Sequence, residues 1–150
     1  MQYFLALGTN IGNLQSNIDT ALEHIKQMPE TSITKQSNIY KTKPWGVTDQ
    51  PDFLNMVIEI ECGHAPEVLW TYIEKIEQMM GRTKTRKWGE RIIDIDILFC
   101  DDKIYETENI VIPHPLIPER DFVLTPLKEI APEYIHPILG KKIKEIQCQK

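Results

Sequence analysis

No stretch of this chain approaches the roughly 20 apolar residues of a membrane-spanning helix. The opening Met1-Gln2-Tyr3-Phe4-Leu5-Ala6-Leu7-Gly8 has no basic n-region and too short an apolar run for a secretory leader. Cysteine is scarce. Cys62, Cys100 and Cys148 are odd in number and lack C-x-x-C spacing, which fits reduced cytosolic thiols better than a disulfide framework or a zinc site. The histidines, His24, His64, His114 and His136, are scattered without H-E-x-x-H or comparable ligand spacing. A positive charge excess is also missing. A net charge of −5 and an isoelectric point near 5.4 argue against nucleic-acid binding by phosphate neutralisation. Gly8-Thr9-Asn10-Ile11-Gly12 lacks the G-x-G-x-x-G spacing of a dinucleotide fold. Gly140-Lys141-Lys142 lacks the upstream glycine and the hydroxyl of a P-loop. A nucleotide, if bound, is held without either cradle. With no repeat and no low-complexity segment, residues 1–150 read as one cytoplasmic domain, with neither membrane nor nucleic acid as a partner and a monomer as the expected state.

What is present is an ordinary globular composition, 41% hydrophobic and 26% charged, in a chain long enough to bury a core. Residues 2–8 read as a buried strand. Leu14, Ile18, Ala21, Leu22, Ile25 and Met28 recur at helical spacing until Pro29 closes the helix. Residues 33–42 form a second, weaker strand pattern, and 43–52 a loop bracketed by Pro44 and Pro51. In 53–60, Leu54, Met56, Ile58 and Ile60 share one face while Phe53, Asn55, Val57 and Glu59 share the other. Pro66 opens a helix whose apolar side runs from Val68 to Met80, with Gly81 as its cap. Residues 92–99 give a fourth strand. The order β-α-β-β-α-β predicts an α+β fold of the ferredoxin-like kind, two helices on one antiparallel sheet. Beyond it, a hairpin is expected around Asp101-Asp102-Lys103, a turn at Pro113-His114-Pro115, a short helix over 122–130 and a partly ordered end over 141–150.

The most informative segment is Lys87-Trp88-Gly89-Glu90-Arg91-Ile92-Ile93-Asp94-Ile95-Asp96-Ile97-Leu98. On a strand, Asp94 and Asp96 point to one face, with Ile93, Ile95 and Ile97 on the other. Their Cα atoms lie roughly 7 Å apart, so the carboxylates can converge on two Mg²⁺ ions about 4 Å apart. Residues 82–91 carry five cations, Arg82, Lys84, Arg86, Lys87 and Arg91. A D-x-D alone is often a solvated strand face, and a basic run alone is often a solvated loop. Hard oxygen ligands directly beside phosphate-binding cations are what phosphoryl transfer from a nucleotide requires.

The run from Lys87 to Leu98 resembles the signature of the hydroxymethyl-dihydropterin pyrophosphokinases of folate biosynthesis, and the likeness extends over nearly the whole chain. Leu7-Gly8-Thr9-Asn10 resembles the family's opening strand and turn. Tyr40-Lys41-Thr42-Lys43-Pro44-Trp45-Gly46, with Gln50-Pro51-Asp52-Phe53-Leu54-Asn55, resembles its pterin loop. Ile112-Pro113-His114-Pro115 and Arg120-Asp121-Phe122-Val123-Leu124 resemble its C-terminal nucleotide and pterin segments. The resemblance implies transfer of a pyrophosphoryl group from ATP to the hydroxymethyl group of a dihydropterin, releasing AMP. It implies Asp94 and Asp96 as ligands of two Mg²⁺ ions, with Lys84 and Arg91 neutralising phosphate charge. Glu77 with Glu74, Trp88, Ile97, His114 and Arg120 would line the nucleotide site. Phe53 and Phe122 would sandwich the pterin, with Asn55 reading its amide edge beside Thr42, Trp45 and Trp88. Lys84 and Lys87 stand where Arg is common in the family, replacing forked phosphate contacts by point charges.

Each assignment has a plainer counterpart. Phenylalanine is usually core, although Phe53 shares its face with polar Asn55. Glu74 and Glu77, one helical turn apart, also fit a solvated face, and His114 between two prolines also fits a turn cap. Two other functions stay open: a non-catalytic ferredoxin-like domain sensing a metabolite, and a Mg²⁺-dependent nucleotidyltransferase that would release pyrophosphate instead of AMP.

Overall fold

The computed structural model describes residues 1–44, 46, 48–81 and 92–149. Its elements run β1 (Gln2–Thr9), α1 (Leu14–Lys26), β2 (Thr31–Gln36), β3 (Tyr40–Thr42), β4 (Phe53–Cys62), α2 (Pro66–Met79), β5 (Asp94–Cys100), β6 (Tyr105–Glu106), β7 (Val111–Ile112) and α3 (Asp121–Ile130). The antiparallel main sheet has the order β2-β4-β1-β5, with β3 also pairing β4. This is the ferredoxin-like order expected of β-α-β-β-α-β.

Local chemistry sets the boundaries. Asn13 caps α1 by accepting a hydrogen bond from the Ser16 amide (3.1 Å), and His24 and Lys26 place positive charge in its last turn. Pro66 occupies the first turn of α2, and Gly81 follows it at φ +84°, a left-handed conformation that glycine adopts without strain.

Strand alternation divides the core in two. Tyr3, Leu5, Leu7, Met56, Ile58, Ile60, Ile93, Ile95 and Ile97 face α1 and α2. Phe4, Val57, Leu98 and Phe99 face the other way, under α3. Leu98 and Phe99 share that side because the register of β5 shifts opposite Phe4 and Leu5, a bulge that inserts one residue.

Three expectations need correction. The second strand is broken into β2 and β3. Between them Ser37 serves Val57 twice, its amide donating to the Val57 carbonyl (2.9 Å) and its hydroxyl accepting from the Val57 amide (3.0 Å). Side-chain bonding of this kind competes with a continuous ladder. The hairpin is not at 101–103. It is β6–β7, closed by the Thr107 amide on the Ile110 carbonyl (2.8 Å), because Asp101 and Asp102 only turn the chain out of β5. The C-terminal segment is not loose: Ile143 and Ile146 are buried in the α3-side core, and the Gln149 amide bonds the Pro118 carbonyl (2.7 Å). The short helix expected over 122–130 is α3, and it covers the second face of the sheet by burying Val123, Leu124 and Leu127 there. Among the described residues no helix is long and apolar enough to cross a membrane.

Candidate active site

The sheet brings Phe53, Asn55, Asp94 and Asp96 to one end of its α3 face. Across the strands, Tyr40 pairs with Asn55, Asn55 with Gly8, and Gly8 with Asp94. One step inward, Val57 pairs with Ala6 and Ala6 with Asp96. Directly paired residues share a face, so Asn55 and both aspartates look out over a floor of the two small residues Ala6 and Gly8. Two strand spacings separate the Cα atoms of Asn55 and Asp94 by about 10 Å. That is room for a flat bicycle and a short arm between an amide and a carboxylate.

Asp94 and Asp96 are half-exposed, whereas Ile93 and Ile95 are buried, as the alternation predicts. The buried Arg120 at the start of α3 reaches towards them, its Nη1 3.8 Å from Asp96 Oδ2. Burial lowers the pKa of this guanidinium, while Asp96, Asp94 and Glu119 support its charge. The same guanidinium lies 5.4 Å from the centre of the Phe122 ring, within cation–π range.

His114 is held beside β5 by its own amide, which donates to the Leu98 carbonyl (3.0 Å). Its pKa is lowered to about 4, chiefly by burial and then by the Arg120 charge, against an opposing pull from Asp94. The ring is therefore neutral at neutral pH. Nδ1 accepts the Leu116 amide (3.1 Å), so the ring proton sits on Nε2, available to an acceptor. A pure turn cap would leave His114 remote from the charged cluster; here it feels both Arg120 and Asp94.

Glu77 corrects the solvated-face alternative. It is 4% exposed, and its Oε2 accepts the Ile95 amide (2.9 Å), joining α2 to the outer edge of β5. Glu74, one turn earlier, is half-exposed. The Ile97 side chain is buried beneath α1 and α2, on the face opposite the aspartates. Its backbone is what can meet a ligand, because β5 is the outer strand and the two-residue period turns Ile97 to the same open edge as Ile95.

At the β4 end of this row, Asn55 is buried and its Nδ2 donates to the Thr42 hydroxyl. Phe53 and Phe122 are half-buried, and neither belongs to the fully buried core. A cleft of about 680 Å³ lies between β3 and the start of α3, lined by Thr42, Lys43, Pro44, Phe122, Thr125 and Gln149; Phe53 is not part of its wall. Of the other predicted site residues, Lys84, Trp88, Arg91 and Trp45 lie outside the described residues, as does the rest of the basic cluster at 82–91.

The turn after β1 contains a polar network that sequence reasoning missed. Asn10, 2% exposed, donates from Nδ2 to Gln50 Oε1 (2.9 Å) and to the Pro51 carbonyl (3.0 Å). The Thr9 hydroxyl bonds the Ile92 carbonyl, and Asn17 donates to both Thr9 Oγ1 (3.0 Å) and the Ile11 carbonyl (2.7 Å). One turn thus fixes the end of the 43–52 loop and the entry to β5. The only sequence signal was two asparagines and a threonine around Gly12, a pattern equally typical of a solvated turn.

Comparison with known proteins identifies the family of the chain. Residues 4–132 match the family model of 7,8-dihydro-6-hydroxymethylpterin-pyrophosphokinase, and the chain belongs to that family. It is 41% identical over 144 residues to the 2-amino-4-hydroxy-6-hydroxymethyldihydropteridine pyrophosphokinase of Aquifex aeolicus, covering 96% of this chain and 89% of that one. It is 42% identical over 127 residues to the enzyme of the same name from Bacillus subtilis, covering 85% and 76%. The fold superposes on the Plasmodium falciparum HPPK-DHPS crystal structure with pteroate at a TM-score of 0.76 and 18% identity. That match covers 95% of this chain and 41% of the longer one.

Proposed function

We propose that this chain transfers pyrophosphate from ATP to the hydroxymethyl group of 6-hydroxymethyl-7,8-dihydropterin, releasing AMP. The observation that carries the reading is the row Asn55–Gly8–Asp94. It sets an amide suited to a heterocycle's polar edge and a carboxylate suited to a phosphate-bound cation on one face, a short arm's length apart. The substrate hydroxyl oxygen bonds to the β-phosphorus as the bond from that phosphorus to the α–β bridging oxygen breaks; AMP leaves with that oxygen, and the hydroxyl proton passes to water.

The residues divide the work. Phe53 and Phe122 bound the pterin faces, and Asn55, oriented by Thr42, reads its amide edge. Neutral His114 donates from Nε2 to a phosphate or ribose oxygen. Arg120 balances negative charge beside Asp96, and Lys84 and Arg91 add cations from the preceding segment. Glu77 and the outer edge of β5 at Ile97 hold the nucleotide, with Glu74 at the rim, and Trp45 and Trp88 complete the pterin contacts.

Asp94 and Asp96 fit Mg²⁺. Among the described residues no group of three or more His, Cys, Asp and Glu side chains forms a metal cage. Magnesium bound to a nucleotide needs only one or two carboxylates, the rest of its octahedron being phosphate oxygens and water. Two ions bound here would polarise the β-phosphoryl group and offset its charge.

The test is the product formed from ATP with and without the reduced pterin. AMP and a pyrophosphorylated pterin in equal amounts support the reading. Release of pyrophosphate with a nucleotidylated product would show a nucleotidyltransferase, and binding without turnover would show a sensor.

A further inference from the structure

Glycine in the middle of an interior strand is a cost, since it loses more backbone freedom than any other residue and packs no side chain. Gly8 sits in β1, flanked on both sides by paired strands. Its φ is outside the left-handed region, so the backbone conformation does not call for glycine. The neighbouring side chains do. A methyl group at Gly8 would lie 2.8 Å from Asn55 Oδ1 and 3.7 Å from Phe53 Cδ1; among the described residues other than its chain neighbours, the next contact is Asn55 Cγ at 3.9 Å. Asp94, the other neighbour in register, is at least that far away.

We propose that Gly8 is a positioning residue for pterin recognition: its bare Cα is the seat on which the Asn55 amide rests. This rests on the reading of Asn55 as the pterin contact. The amide is fixed from two sides, with Nδ2 donating to the Thr42 hydroxyl and Oδ1 lying against Gly8. Asn55 is only 6% exposed, so it has little space to yield. An added methyl rotates the amide off the Thr42 bond or pushes it into the space above the floor. Either movement presents the wrong donor and acceptor pattern to a bound heterocycle. The nucleotide side is spared, because the methyl points at the Asn55–Phe53 pair rather than at Asp94.

The experiment is a double-mutant cycle read by calorimetry, using 6-hydroxymethylpterin in the presence of a non-hydrolysable ATP analogue, and that analogue alone. Gly8→Ala is expected to weaken pterin binding at least about tenfold while changing analogue binding less than about threefold. In an Asn55→Ala background the same substitution should add less than about twofold, because the atom it strikes is gone. Additive losses, unchanged pterin binding in Gly8→Ala, or equal losses for both ligands would overturn the proposal. If Asn55→Ala alone binds pterin normally, the assignment of Asn55 fails first, and the proposal with it. Should Gly8→Ala not fold, recovery of folded protein by adding Asn55→Ala reports the same contact, and failure to recover refutes it.

Discussion

Acidification should destabilise this protein through His114, by an amount the structure sets. The pKa falls from its ordinary 6.5 to about 4 on folding, mainly because folding strips water from much of the ring and then because Arg120 stands beside it. A group with a lowered folded pKa adds stability above its unfolded pKa and loses it as pH falls towards the folded value. The unfolded chain then binds the extra proton. Between about pH 7.5 and pH 5.0 this linkage removes about 2 kcal/mol, approaching about 3 kcal/mol below pH 4. His136 acts in the same direction, since burial lowers its pKa while its Nδ1 accepts the Ile138 and Leu139 amides (3.2 Å each). Urea unfolding at the two pH values is the assay. With a slope of about 1–3 kcal/mol per molar urea, the His114 contribution alone lowers the midpoint by roughly 1 M. His114→Asn keeps an acceptor near the Leu116 amide but cannot titrate, so it should remove most of this drop while leaving His136's share. An unchanged pH dependence in His114→Asn would refute the assignment of a half-buried, neutral imidazole.

Three further outcomes are expected. Asp94→Ala should lower turnover by at least about 10²-fold at saturating Mg²⁺ without loss of cooperative unfolding, since the side chain is half-exposed; turnover within tenfold of the parent sinks the metal assignment. Phe53→Ala should cost about 1 kcal/mol or more in pterin binding, seen by calorimetry, and leave the ATP analogue nearly unaffected; equal loss for both ligands would make Phe53 a fold residue. Glu77→Ala leaves the buried Ile95 amide without that acceptor, a loss of about 1–3 kcal/mol that should lower Tm by several degrees in a chain of this size. Glu77→Gln, which retains an amide oxygen, should recover much of that stability; equal thermal stability of all three proteins would contradict the bond.

Sequence by itself determined the order of elements, and with it the ferredoxin-like sheet. Periods of 2 and 3.6 residues survive folding whenever one face of an element is buried, so β1, α1, β4, α2 and β5 were legible from their apolar spacing. It also placed Asp94 and Asp96 on one face, because strand alternation is a property of the backbone. Tertiary structure decided what local pattern does not encode. Ser37 breaks a strand only because Val57 lies opposite it. Ile143 and Ile146 order the C-terminal segment only because α3 leaves them a core to enter. For Glu77 the spacing left a nucleotide-site residue and a solvated carboxylate both open until the edge of β5 supplied its partner. Gly8 read as the start of a turn, and only the register that sets it between Asn55 and Asp94 gives its missing side chain a purpose. These contacts join residues far apart in sequence, and no local propensity records which side chain arrives across a sheet.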